Sequence, residues 1–272
     1  MVDIRKTIEF VLNSKSKIDI AKLNVILGND VEDNLQELFN FYSELQNTDG
    51  GFPFQNIASQ ISTINATTAS LHIMLDYGLD DNRTFQNGIS FLDNQQNPKG
   101  FWNEPHTLYK LNPPIWDDPT NELARIWLTA NTCHLLARLK RVNSPNLTKG
   151  ITFLLENLDE NKRLKGYFLT NWIAVAIFGI CNGKDDELTK NFVRIIDQNL
   201  EKILGTSDLA WCLHCFYDAG FQKNHPIVLR MLDNLISIQT KNGSWMSIDG
   251  KEFDITTTVY VLDILEKYDI LE

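Results

Sequence analysis

Carboxylates and aromatics are the residues in this chain whose types and placing could do chemistry. Asp117, Asp118 and Glu122 fall within one proline-rich stretch, "PPIWDDPTNE", and Glu252 and Asp254 within "EFDITT". A carboxylic acid kept in a water-poor pocket can hold its proton near neutral pH and act as a general acid. Trp127, Trp172, Trp211 and Tyr260 lie near the starts of four separate apolar segments. Their π faces attract cations and can line a pocket in which positive charge develops, though aromatics also serve as core filler. Tyr109 and Trp116, in the proline-rich stretch, are placed to face a ligand if that stretch forms a lid or rim. "SDLAWCLHC" supplies Asp208, Cys212, His214 and Cys215, residue types that bind metals, but Cys and His inside an apolar helix read more readily as core.

The elements that position these residues are repeated. "QNTDGGF" (46–52), "QNPKGFW" (96–102) and "QTKNGSW" (239–245) are one phrase written three times. In each, Asn, Asp and Gly make a turn, and a large aromatic follows. Amphipathic segments of helical spacing precede the turns, as in "NGISFLDNQQ" and "LRMLDNLISIQ". A more apolar segment follows each turn and its loop: "NATTASLHIMLDYG", "LTANTCHLLARL" and "DITTTVYVLDILEKY", with "YFLTNWIAVAIFGICNG" and "SDLAWCLHCFYDAG" as two further copies. With the first 34 residues this predicts six helical hairpins, at 1–34, 35–83, 84–145, 146–187, 188–224 and 225–272, in one domain. The expected fold is all-α, an (α/α)6 barrel with apolar helices inward and amphipathic helices outward.

Charge excludes some functions. The chain carries 35 acidic against 25 basic residues, a net −10, which argues against nucleic acid as a partner. No apolar run approaches the roughly 20 residues of a membrane span, so no transmembrane segment is expected, although peripheral contact with a membrane stays compatible with the sequence. The first residues contain acids and no apolar signal core, and the cysteines read as reduced thiols; a cytoplasmic location is expected.

The Gln–turn–Gly–x–Trp phrase resembles the repeats of squalene–hopene and oxidosqualene cyclases, and its Phe variant is similar to those of protein prenyltransferase β subunits and class II diterpene cyclases. Gly100-Phe101-Trp102, Gly243-Ser244-Trp245 and Gly50-Gly51-Phe52 carry the resemblance, and Lys165-Gly166-Tyr167-Phe168 is a degenerate copy. It implies structural roles for Gln46, Gln96, Trp102, Gln239 and Trp245, with the Gln capping a helix end and the Trp stacking on it. The prenyltransferase zinc ligands map to Asp208, Ala210 and a position near Thr256; two of the three are lost, so zinc is not expected. The class II acid motif maps onto "EFDITT", with Glu252 as its first acid and Asp254 as the proton donor, while Ile255 replaces its last acid. Asp254 is equally suited to capping the helix that follows. Asp117, Asp118 and Glu122 are similar to the acid cluster with which class I synthases hold magnesium diphosphate, but Pro119 opposes the helix that motif needs. The implied activity is protonation-initiated, class II-type cyclisation of an apolar polyprenyl substrate without a cofactor, Mg2+ entering only with a diphosphate substrate. The alternatives are a non-catalytic module that binds an isoprenoid, a lipid or a protein partner, and a prenyltransferase-like protein without the zinc site.

Overall fold

The computed structural model describes residues 2–203 and 205–271. Among them the chain is all-α. Twelve α-helices run in sequence: α1 Ile4–Leu12, α2 Lys17–Ile26, α3 Val31–Leu45, α4 Ile64–Asp76, α5 Arg83–Gln95, α6 Glu122–Arg138, α7 Pro145–Glu156, α8 Thr170–Asn182, α9 Glu187–Asp197, α10 Thr206–Asp218, α11 Pro226–Ser237 and α12 Asp254–Lys267. The strands are two-residue pieces, β1 Phe52–Pro53 and β2 Ser62–Thr63, paired antiparallel. Even-numbered helices from α4 on are the apolar members of the hairpins; α6 is buried continuously from Ile126 to Ala137, and α8 from Thr170 to Gly179. Odd-numbered helices bury one stripe, as expected for amphipathic partners.

The chain divides into two compact units, residues 1–38 with 194–272, and residues 39–193. In the first, Val11 and Leu23 pack with Val259 and Leu262, which joins α1 and α2 to α12. In the second, α6 and α8 are the most continuously buried helices, and Arg138 of α6 reaches Asp76 of α4 at 2.5 Å and the His72 ring at 3.0 Å.

The three repeated turns share one geometry, and it redistributes the roles expected from the sequence. The Trp102 indole Nε1 donates to the Leu92 carbonyl at 2.7 Å, near the C-terminal end of α5, where a helix leaves carbonyls without partners. The Trp is therefore the helix cap. The Gln instead ties the turn to the next outer helix: Gln96 Nε2 donates to Gly100 O (2.9 Å) and to Asn146 O in the first turn of α7 (2.8 Å). Gln46 does the same with Gly50 O and Thr84 O, and Gln239 with Gly243 O and the Thr7 hydroxyl of α1. Gly is required between them. Gly100 has φ +94°, and a Cβ there would lie 2.3 Å from Lys149 O.

A fourth turn of this shape falls at Asp159–Arg163, ahead of the Lys165–Phe168 stretch that the sequence suggested. Asp159 N donates to Arg163 O and Lys162 N to Asp159 O, the pattern of Asn97 and Phe101. Lys162 takes the positive φ of the glycine, and Leu164 stands where Trp102 stands. Polar side chains there hide the repeat from a pattern built on Gly and Trp.

Candidate functional site

The N-terminal end of α4 gathers the most unusual chemistry of the second unit. Its first N–H groups need partners that the helix cannot supply. Thr63 caps Ala66 N at 3.2 Å. Ile64 N and Asn65 N, at 2.8 Å each, donate to Oε2 and Oε1 of Glu104, which arrives from the loop two residues beyond Trp102 and is buried. A carboxylate is well placed there, against the positive end of the helix dipole. Asn65 then donates through Nδ2 to Asp117 Oδ1 at 2.8 Å, and Asp117 is also buried, at 5% exposure. Asn65 thus touches both acids, one through its backbone and one through its side chain.

The two carboxyls sit in an environment that opposes ionisation. Burial pushes Glu104 up to about 8, against the pull of its two backbone hydrogen bonds, and the neighbouring Asp117 carboxyl adds to the rise. Burial pushes Asp117 up to about 6, opposed by the Asn65 amide. Interacting acids titrate as a pair; near neutral pH the proton sits mainly on Glu104, and Asp117 carries one below about pH 6. Both oxygens of Glu104 are engaged by backbone donors. Asp117 has one engaged oxygen, and its Oδ2 takes no hydrogen bond among the described residues. Oδ2 is the position from which a proton can leave.

The proline-rich loop is built to hold Asp117 there. Asp117 N donates to Pro114 O, and Asn103 Nδ2 to Pro119 O. Asn121, the N-cap of α6, donates from Nδ2 to Ile115 O and to the Tyr167 hydroxyl, while its Oδ1 accepts from Leu123 N. The Tyr167 hydroxyl donates in turn to Ile115 O. Asp118, one residue on, has a different fate: it is half-buried, and its carboxylate accepts from Thr120 N and Oγ1, which holds it below the usual range. Tyr109 and Trp116 are exposed at 64% and 49%, and Glu122 faces solvent.

The remaining candidates divide between the units. Trp127 and Trp172 are buried on α6 and α8 of the second unit; the Trp127 indole Nε1 has no acceptor among the described residues, and Phe168 meets Trp172 edge-on at 6.0 Å. In the first unit Trp211 is half-buried on α10, and the Tyr260 hydroxyl pairs with His214 Nδ1 at 3.1 Å. Glu252 is exposed in a short turn. Asp254 is the first residue of α12, not its N-cap, which is Phe253; its half-buried carboxylate accepts from Ser247 N at 2.7 Å. Cys212, His214 and Cys215 are buried, and no group of three His, Cys, Asp or Glu among the described residues is placed to hold a metal ion.

Glu104 and Asn65 were not foreseen. A signal existed: two residues after the aromatic of each repeated turn stand Phe54, Glu104 and Ser247, so the acid is the odd member of its position.

No family model and no curated protein sequence matches the chain. Solved structures do. A crystal structure of a protein from Actinoplanes aligns over 98% of each chain with a TM-score of 0.67 and 14% identity. The type II terpene cyclase MstE from Scytonema, without ligand, aligns over 98% of this chain and 97% of its own, with a TM-score of 0.65 and 14% identity. A variant of MstE in complex with its substrate, geranylgeranyl dihydroxybenzoate, aligns with a TM-score of 0.64 and 13% identity over 97% and 96% of the two chains. At this identity the likeness shows the fold: an all-α chain of helical hairpins, of the class that type II terpene cyclases use.

Proposed function

We propose that the chain is a terpenoid cyclase-like enzyme that protonates an apolar polyprenyl substrate to start its cyclisation, with Asp117 as the proton donor. The observation that carries this reading is the buried Glu104–Asp117 pair at the start of α4, where burial raises Asp117 to about 6, so that it holds a proton in mildly acidic conditions, and where its Oδ2 is unengaged among the described residues. The π electrons of a terminal double bond take the proton, and a new C–H bond forms. The tertiary cation that results is attacked by the next double bond, which closes a ring, and loss of a proton to water gives a neutral product, the Asp117 carboxylate being reprotonated from solvent. Asp117 ionises as it gives its proton, and the Asn65 amide, already bonded to Oδ1, stabilises the carboxylate that results. Trp127 and Trp172 supply π faces in the same unit. The reaction is an isomerisation and needs no cofactor; Mg2+ enters only if the substrate carries a diphosphate. Glu252 and Asp254 are the second-ranked acids, since Glu252 is solvated and Asp254 is committed to the Ser247 amide.

Asp117→Asn tests the reading. It keeps the acceptor for Asn65 but has no acidic proton, so turnover of a polyprenyl substrate should fall by about 10²–10⁴-fold with substrate binding retained. Undiminished turnover removes Asp117 from the mechanism. A wild-type chain that binds the substrate and never converts it points instead to a binding module.

A further inference from the structure

Protonation engages one end of a polyprenyl chain, and the other end carries whatever head group the chain was delivered with. In its activated form that head is a diphosphate, a multiply charged anion that proteins hold with several Arg or Lys side chains through charge-assisted hydrogen bonds. The apolar helices are poor in such groups. α4, α6, α8, α10 and α12 together carry three bases, Arg125, Arg138 and Lys267, against seven acids. The net charge of −10 further opposes a multiply charged anion.

Two of the three bases are already neutralised. The Arg138 guanidinium reaches Asp76 at 2.5 Å, with side chains only 10% and 9% exposed, and Lys267 Nζ lies 2.6 and 2.7 Å from the two oxygens of Asp263. Drawing either base toward a ligand would strand a carboxylate that is close to buried. Both stand in the last turns of their helices, and Arg138 is about 25 Å along α6 from Asn121, which braces the Asp117 loop. Arg125 makes no ion pair among the described residues, but its guanidinium lies 4.7 Å over the Phe101 ring, which packs against Phe153 of the outer helix α7. One guanidinium so placed does not offset a diphosphate. The other polar atoms that the second unit's apolar helices leave open are neutral. Ser70 Oγ on α4, Trp127 Nε1 on α6 and Thr170 Oγ1 on α8 are buried without a hydrogen-bond partner among the described residues. Each can donate to a hydroxyl, carbonyl or ether oxygen, and none carries charge.

We propose that the substrate is a polyprenyl chain on an uncharged head, its diphosphate already gone, and that the class of reaction supplying it is a prenyl transfer. In that reaction the C–O bond to diphosphate breaks and the diphosphate leaves with the electron pair. A neutral acceptor, a phenol or water, forms the new bond to carbon, and its displaced proton passes to solvent. The proposal rests on the cyclase reading for the polyprenyl chain itself; the assay below reads binding apart from turnover, so the two fail in distinguishable ways.

The test compares matched farnesyl and geranylgeranyl compounds on the full chain: the alcohol, the prenylated phenol, and the diphosphate with and without Mg2+. All are presented in the same detergent, and binding is read by quenching of tryptophan emission. At one chain length or both, the alcohol and the phenol should bind at least about tenfold more tightly than the diphosphate, a difference of about 1.4 kcal/mol. Mg2+ should not close that gap, and Arg125→Gln should leave the ranking unchanged. The proposal is overturned if the diphosphate binds as tightly as the alcohol or more so, and loss of that binding in Arg125→Gln would then locate the clamp. Such a preference leaves the cyclase reading standing, whereas binding of none of the compounds overturns both. Tight binding of alcohol and phenol without turnover upholds the substrate class and counts against catalysis.

Discussion

Trp245 donates its indole N–H to the carbonyl of Leu235, ten residues earlier, at 2.7 Å. Gln239 N, which would continue the α11 ladder to that carbonyl, bonds to Ile236 O instead. The indole thus fills a vacancy that the end of the helix creates, and Trp102 does the same for Leu92. Both indoles are fully buried.

Trp245→Phe keeps most of the apolar volume and strands the Leu235 carbonyl. Chemical denaturation should show a loss of about 1–3 kcal/mol, the cost of a buried unsatisfied group. Trp245→Ala should cost about 3–5 kcal/mol, because a cavity is added. Equal stability of Phe and wild type would deny the capping role.

Gly100→Ala and Gly243→Ala should each destabilise by more than the roughly 1–3 kcal/mol of a strained backbone conformation. Each Cβ would also meet the backbone of the next outer helix, at Lys149 O and Thr7 N respectively. Gly220→Ala is the control: its φ is +84° but nothing lies within 4 Å, so it should show the strain alone in the same denaturation series.

The acid pair makes stability depend on pH in a direction opposite to most carboxylates. Both folded-state values are raised, from 3.8 to about 6 for Asp117 and from 4.5 to about 8 for Glu104. The folded chain therefore binds more protons than the unfolded chain between these limits, and stability falls as pH rises. The contribution is complete below about pH 4 and lost by about pH 8. Melting temperatures of wild type and the Glu104→Gln/Asp117→Asn double variant, measured from pH 5 to 8, should lie closest at the acid end, where the wild-type acids are neutral like the amides, and separate toward the alkaline end once the other groups' common trend is removed. A parallel pair of curves would mean the acids do not hold the proton.

Asp254→Asn separates the two candidate donors. Asn keeps an acceptor for Ser247 N, and turnover should remain within about twofold of wild type if Asp117 is the acid. A large loss here, with Asp117→Asn active, would return the role to the start of α12.

The fold was legible because its determinants are local and repeated. A Gln, a turn glycine and an aromatic recur in order, and each recurrence is forced by the same helix end. The Asp159–Arg163 turn escaped because Lys162 and Leu164 meet the same backbone demands with other side chains. The acid pair was half legible. Asp117 stood out in a proline-rich loop, but whether it or Asp118 turns inward is decided by Asn65, fifty-two residues away, and no local pattern encodes that partner. Glu104 carried a signal only in comparison with the other repeats.

The hydrogen bonds of Gln239 to Asp3 N and to the Thr7 hydroxyl span more than 230 positions, within a unit assembled from both ends of the chain. During synthesis α1 and α2 emerge from the ribosome well before α12, against which Val11 and Leu23 pack. At about 5–20 residues per second they wait on the order of ten seconds or longer with that apolar face uncovered. Limited proteolysis of stalled nascent chains should cut before α2 until α12 has cleared the exit tunnel. Residues 39–193 can condense while the leading helices wait, so vectorial synthesis separates in time two parts that a refolding experiment starts together.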